Sequence, residues 1–255
     1  MVAYALAIAA AVGVVALTAI MFRKLGKGTE DGDPGGPSSA HAGAMLSAMF
    51  LLAFAIAIIV PWTTADAARQ NTHTEARAAI EAYWAAAGLP ESDREQVRSG
   101  LHAYVKSVVD DEWPLMAQGE TDPTGGERLD ALRSQVASVE SGSDKLDDAK
   151  GEVLDHVRDL DTARAQRVAD AATTPPEGLL WLTVLSGVVV VLFPFLAGAR
   201  PRGATIVPLM AMAAMLGFGI YLCWDIMRVF DGPLAVGPEA FQVALQEFAR
   251  ISAGV

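Results

Sequence analysis

Apolar residues are distributed along this chain in two ways. Four stretches are apolar on every face and close to the ~20 helical residues needed to cross a hydrocarbon core: Val2 to Phe22, Ala42 to Trp62, Gly178 to Ala199 and Ala204 to Trp224. Between the second and third stretches, apolar positions recur instead at three- and four-residue intervals, the mark of helices with one dry face. The first two stretches are joined by "RKLGKGTEDGDPGGPSSAH", rich in Gly, Pro and Ser, and the last two by "RPRG", so each pair reads as a helical hairpin. Trp62 and Trp181 stand where interfacial aromatic residues gather.

No breaker follows the second stretch until Gly88 and Pro90, which predicts that its helix continues through "ADAARQNTHTEARAAIEAYWAAAG". The next segment opens with Ser92 and Glu95 at capping-box spacing. It sets Val97, Leu101, Tyr104 and Val108 on one face and is expected to end at Trp113 and Pro114. A third helix after "GETDPTGG" aligns Leu129, Leu132, Val136 and Val139; a fourth, from near Ser143, aligns Val153, Val157, Leu160 and Arg164. The prediction is an all-α chain: four transmembrane helices with an extramembrane helical bundle inserted between helices 2 and 3. The boundaries are 1–64 for the first hairpin, 65–177 for the bundle, 178–230 for the second hairpin and 231–255 for a C-terminal amphipathic helix. That last helix has Pro238 in its first turn and Phe241, Leu245, Phe248 and Ile251 on one side, a face suited to a membrane surface or a neighbouring subunit.

Charge sharpens this division. The 255 residues are 52% hydrophobic yet carry a formal net charge of −11, and the stretch from Ala65 to Glu177 accounts for the whole imbalance, with 23 acidic and 12 basic residues. An acidic block with dispersed Lys and Arg is unsuited to nucleic acid. Lys and Arg in short loops favour the cytoplasm. Arg23, Lys24, Lys27, Arg200 and Arg202 flank the two hairpin turns, which places the turns inside and the acidic bundle and both termini outside the plasma membrane. The N-terminal stretch has no basic residue before its apolar run, so it reads as a retained helix and not a cleaved signal. Near the end, about 35 Å of helix separates Arg202 from Asp225 at ~1.5 Å per residue. That puts Asp225 at the outer rim, with Arg228 placed to pair with it on the helix surface.

Candidate chemistry is sparse. No catalytic residue, cofactor motif or metal site stands out: His73 and Glu75 lack a second metal-spaced His, and the single Cys223 cannot build a thiolate site alone. Asp110, Asp111 and Glu112 are adjacent on a helix and therefore point in different directions, reading as an acidic patch in preference to a cation site. Arg164 falls on an apolar seam and needs a partner; it reads either as a buried Arg paired with Glu75 or Glu112, or as an anion-binding group. Asp66, Arg69, His73 and Arg77 share a face of the helix leaving the second stretch. Around an axis that face would make charged rings at a pore mouth; in isolation it is a solvated face with local pairing. The four apolar stretches contain no Asp, Glu, Lys, Arg or His, which argues against an ion-coupled transporter. Small residues four apart, such as Ala7 with Ala11 and Ala44 with Ala48, favour close helix approach.

Several segments resemble the bestrophin-like family of four-span membrane proteins. They are "NTHTEARAAIEAYWAAAGLP" around Glu75, "LHAYVKSVVDDEWPLM" with Glu112, Trp113 and Pro114, "ARAQRVADAATTPPEGLLWLTVLSG" with Arg164 and Arg167, and "FDGPLAVGPEAF" with Phe230, Gly232 and Pro233. In the first hairpin only His41 and Gly43 match, and Met227 and Val229 replace the family's usual Asp and Pro in the ending. The resemblance implies a remote relation to bestrophin anion channels, and so a homo-oligomer in a lipid bilayer that passes small ions. The competing expectation is a non-conducting membrane protein whose acidic bundle docks other cell-envelope proteins. No enzyme activity and no cofactor are expected under either.

Overall fold

The computed structural model describes residues 2–25, 37–140, 142–173, 177–196 and 206–254. Every regular element among them is helical: α1 (Val2–Leu25), α2 (Pro37–Ala85), α3 (Glu91–Ser107), α4 (Trp113–Met116), α5 (Thr124–Ala137), α6 (Asp144–Ala172), α7 (Glu177–Leu196), α8 (Ile206–Ile226) and α9 (Glu239–Ser252). Short 3-10 and π-helical turns occupy Ala86–Gly88 and Val108–Glu112. The chain divides into two compact units, Met1–Trp62 with Pro175–Met227, and Thr63–Thr174 with Arg228–Val255.

In the first unit, three described helices are long and apolar enough to cross a membrane: the first part of α2, α7 and α8. Leu51, Leu52, Leu185 and Met215 point outward from them, as suits an apolar solvent. Glycines set the packing. A Cβ on Gly217 of α8 would lie 2.7 Å from Ala11 Cβ and 2.9 Å from Ala7 O, so α1 approaches α8 through the Ala7/Ala11 pair. Gly43 of α2 makes room for the ring of Phe193, and Gly219 for that of Phe54. Asp225, expected on the helix surface, is buried. Depth along a helix says how far a residue lies from the membrane centre and nothing about which way its side chain points. Lys27, Arg200 and Arg202, on which the predicted orientation rests, lie outside the described residues, as do the side chains of Arg23 and Lys24.

The second unit is a helical bundle formed by the rest of α2 with α3, α5, α6 and α9. As the periodicity predicts, Val97, Leu101, Tyr104 and Val108 are buried together, as are Leu129, Leu132 and Val136, and Val153, Val157 and Leu160. Ser143 caps α6, its hydroxyl accepting from Leu146 N at 3.3 Å. The capping box expected at Ser92 and Glu95 does not form, because α3 starts one residue before Ser92, with Pro90 as its N-cap and no side-chain cap. Nor does α9 present its apolar face to a membrane or to another subunit. Phe241, Phe248 and Ile251 are buried in the core of the bundle, where Tyr83 stacks on Phe248 at 4.2 Å.

Candidate functional site

Proline at 114 shapes the turn that builds the centre of the bundle. A proline ring inside a helix clashes with the carbonyl four residues back and supplies no N–H. The chain accommodates it by widening: Val108–Glu112 form a π-turn, Trp113 N donates to Val108 O, and the helix resumes as α4 instead of ending at Trp113 and Pro114. The wide turn leaves Asp110 and Asp111 exposed and carries Glu112 inward, to 3% exposure. Among the described residues, no group of three or more His, Cys, Asp or Glu side chains is gathered closely enough to hold a metal ion.

Glu112 meets two arginines from α6. Arg167, with no solvent exposure, donates from Nη2 to Glu112 Oε2 at 2.7 Å. The same guanidinium grips Glu75 of α2, also fully buried, from Nε to Oε2 at 2.7 Å and from Nη2 to Oε1 at 3.0 Å. Its remaining Nη1 donates to Met116 Sδ at 2.9 Å. Tyr104 completes the Glu75 carboxylate, donating its hydroxyl to Oε1 at 2.5 Å. Arg164 donates from Nη2 to Glu112 Oε1 at 3.1 Å and to Asp122 O at 2.7 Å. Two carboxylates thus face two guanidiniums, and the buried charges cancel.

Burial and these contacts shift the titration of Tyr104 and Arg167. Burial, reinforced by the adjacent Glu75 carboxylate, pushes the Tyr104 phenol well above its ordinary value. For Arg167, burial by itself favours loss of the proton, but the Glu75 carboxylate and its hydrogen bonds outweigh this and hold the guanidinium more firmly charged than usual. At the entrance to α5, the hydroxyl and backbone N–H of Thr124 draw the Asp122 carboxyl below its usual range.

Aromatic rings close the cluster. The Arg167 guanidinium lies 5.7 Å from the Trp113 ring and 5.6 Å from the Phe241 ring, within cation–π range. Trp113 in turn meets Phe230 edge-on at 5.6 Å and donates from Nε1 to Val236 O at 3.3 Å. The loop that delivers Phe230 and Val236 turns at Gly232, whose φ of +112° is open to glycine and strained for other residues, and Val236 N closes it onto Val229 O at 2.8 Å. Gly232, Pro233 and Pro114 are exposed and act on the backbone path alone.

The sequence singled out Arg164 as the buried cation. It is indeed paired with Glu112, at 11% side-chain exposure, but Arg167 is the residue at the centre. Gly125 belongs to the cluster too: a Cβ there would lie 1.9 Å from Glu112 Oε1 and 2.7 Å from Arg164 Nε, so the first turn of α5 seats directly on the ion pair. The paired glycines of "TDPTGG" were its only trace in the sequence, and a loop accounted for them equally well.

The predicted stripe on α2 is arranged differently. Arg69, His73 and Arg77 are exposed on the face turned away from Glu75, whereas Asp66 is half-buried and accepts from Gln70 Nε2 at 2.8 Å. Arg77 stands 3.7 Å from Glu81 and borders two grooves, one of about 610 Å³ against α6 and one of about 320 Å³ against α9. His73 is exposed and Glu75 buried, so the two do not share a metal site.

A family model, the Bestrophin-like domain, matches residues 7–241. Neither a curated protein nor a solved structure matches the chain.

Proposed function

The chain belongs to the bestrophin-like family, and from that membership we propose that it is a four-span protein of the plasma membrane that assembles as a homo-oligomer and passes small ions along an axis lined by α2. One observation carries this reading: α2 is a single helix, apolar through Trp62, clamped at Glu75 on its inner face and lined outward by Arg69, His73 and Arg77. A clamped helix holds its outward charges at fixed positions, the condition for charged rings that select ions by sign. Two arginines per copy favour anions at the mouth, acting locally against the negative field of an otherwise acidic bundle. The 24 residues of α1 supply the fourth span, and the bundle with both termini lies outside the cell by the charge rule.

Recording from the full-length protein reconstituted in liposomes tests this. Anion-selective flux is expected, and Arg69→Glu with Arg77→Glu, both remote from the buried cluster, should weaken or reverse the selectivity. Absence of ion-selective flux from a confirmed oligomer overturns the reading. A non-conducting docking protein is the second reading, favoured by the exposed acidic residues Asp147, Asp148, Glu152, Asp155 and Asp159 along α6.

A further inference from the structure

Apart from the α2 stripe and the buried pair on α6, the basic residues of the bundle are mostly dispersed, and one further group stands out on α3. Arg94, Arg98 and His102 follow one another at four-residue spacing and so share a helix face. They line a groove of about 510 Å³ with Ser99 of the same helix and Ser252 of α9. Neighbouring like charges on a helix are mildly unfavourable, and little in the chain offsets them. The nearest carboxylate to Arg94 is Glu91, 3.9 Å away and mostly exposed, and the groove contains one carboxylate, Glu95.

Arg98 is held as a ligand-ready group would be. Its guanidinium lies 4.7 Å over the Tyr83 ring, and its Nε donates to Tyr83 O at 3.3 Å. Tyr83 is itself fixed, stacked on Phe248 and joined through its hydroxyl to Ser252 Oγ at 2.6 Å. Nη1 and Nη2 of Arg98 make no hydrogen bond among the described residues, so a positioned donor fork faces a concave, basic surface. A guanidinium fork matches the oxygens of a phosphoryl group, and a second arginine, an imidazole and two hydroxyls beside it supply further contacts.

We propose that this groove between α2, α3 and α9 is a binding site for a phosphate-bearing anion. It is separate from the α2 stripe and independent of whether the protein conducts. Because the chain is strongly acidic overall, the affinity comes from these few side chains and not from a general positive field.

The test is thermal unfolding of the full-length protein in detergent, with inorganic phosphate compared against chloride at matched ionic strength and pH. Phosphate should raise the midpoint. In Arg94→Gln and in His102→Ala, both on partly or fully exposed positions, the apparent Kd for phosphate should rise about tenfold or more, the effect of losing a charge-assisted hydrogen bond. Arg98→Gln should abolish the shift. No phosphate-specific shift in the wild type, or the same shift in all three variants, overturns the proposal. Repeating the measurement in phosphatidylcholine nanodiscs with and without phosphatidic acid identifies the source. Loss of the phosphate effect only in phosphatidic acid discs assigns the site to a lipid headgroup, and its persistence assigns the site to a soluble phosphate; both uphold the site.

Discussion

Arg167 and Glu75 face each other through two hydrogen bonds, Nε to Oε2 at 2.7 Å and Nη2 to Oε1 at 3.0 Å, with neither side chain reaching solvent. The two residues stand 92 positions apart and tie α6 to α2. Their arrangement ranks the substitutions that would damage the bundle.

Arg167→Ala strands the carboxylates of Glu75 and Glu112 in the core. Removing one partner of a buried ion pair costs about 3–5 kcal/mol. Arg167→Lys is expected to fail nearly as badly, since an ammonium cannot span both carboxylates and Met116 as a planar fork does. Arg164→Ala should cost less, because Arg164 is partly exposed and Glu112 keeps its bond to Arg167. Chemical denaturation in detergent, followed by circular dichroism, gives the order; Arg164→Ala proving the more damaging would contradict it.

Two glycines in helices make a matched pair. At Gly125 an added methyl collides with the Glu112 carboxylate, so Gly125→Ala should destabilise by about 1–3 kcal/mol, the usual cost of forced overpacking. At Gly151, within α6, nothing lies within 4 Å of the added atom, and Gly151→Ala should stabilise by up to ~1 kcal/mol through helix propensity. Thermal midpoints that move in opposite directions are the expected result.

Alkaline pH should reveal Tyr104. Its folded pKa is raised above the unfolded value of 10.0, so its contribution is fully present below pH 10 and is lost as pH rises from there toward the folded value. Tyr104→Phe removes a donor from buried Glu75 and should cost about 1–3 kcal/mol at neutral pH. The gap between wild type and Tyr104→Phe should stay constant from pH 7 to about 9.5 and then shrink by roughly 1.4 kcal/mol per pH unit above 10. A gap that widens in alkali would refute the assignment.

In the apolar unit, Gly217→Val should separate α1 from α8, because even a methyl there meets Ala11 and the Ala7 carbonyl. Gly13→Ala, also within a helix and with nothing within 4 Å of the added atom, serves as the control and should leave the midpoint unchanged or raise it slightly through helix propensity. Thermal stability in detergent distinguishes them.

Much of the fold was legible because helix periodicity is a local property. Runs apolar on every face marked helices for an apolar solvent, and three- and four-residue spacing marked the dry faces of α3, α5, α6 and α9, which are the faces the core buries. Ser143 signalled a helix start that its own side chain makes. Proline 114 was legible as a disturbance but not as a π-turn, since its effect depends on what the following residues pack against.

By itself the sequence determined where helices form and which side of each avoids water. The apolar seam pointed to Arg164 with Glu75 or Glu112 as partner, while the family resemblance grouped Glu75, Glu112, Trp113, Pro114, Arg164, Arg167, Phe230, Gly232 and Pro233 without saying how they meet. Only the tertiary structure decided that Arg167 and not Arg164 takes the centre, that α9 closes the bundle of its own chain, and that Gly125 is needed beside Glu112. The buried contacts at the centre join residues tens of positions apart: 92 between Arg167 and Glu75, 55 between Arg167 and Glu112, and 123 between Trp113 and Val236. At such separations a buried charge takes the partner that the packing of several helices brings within ~3 Å, and local spacing has no term for that.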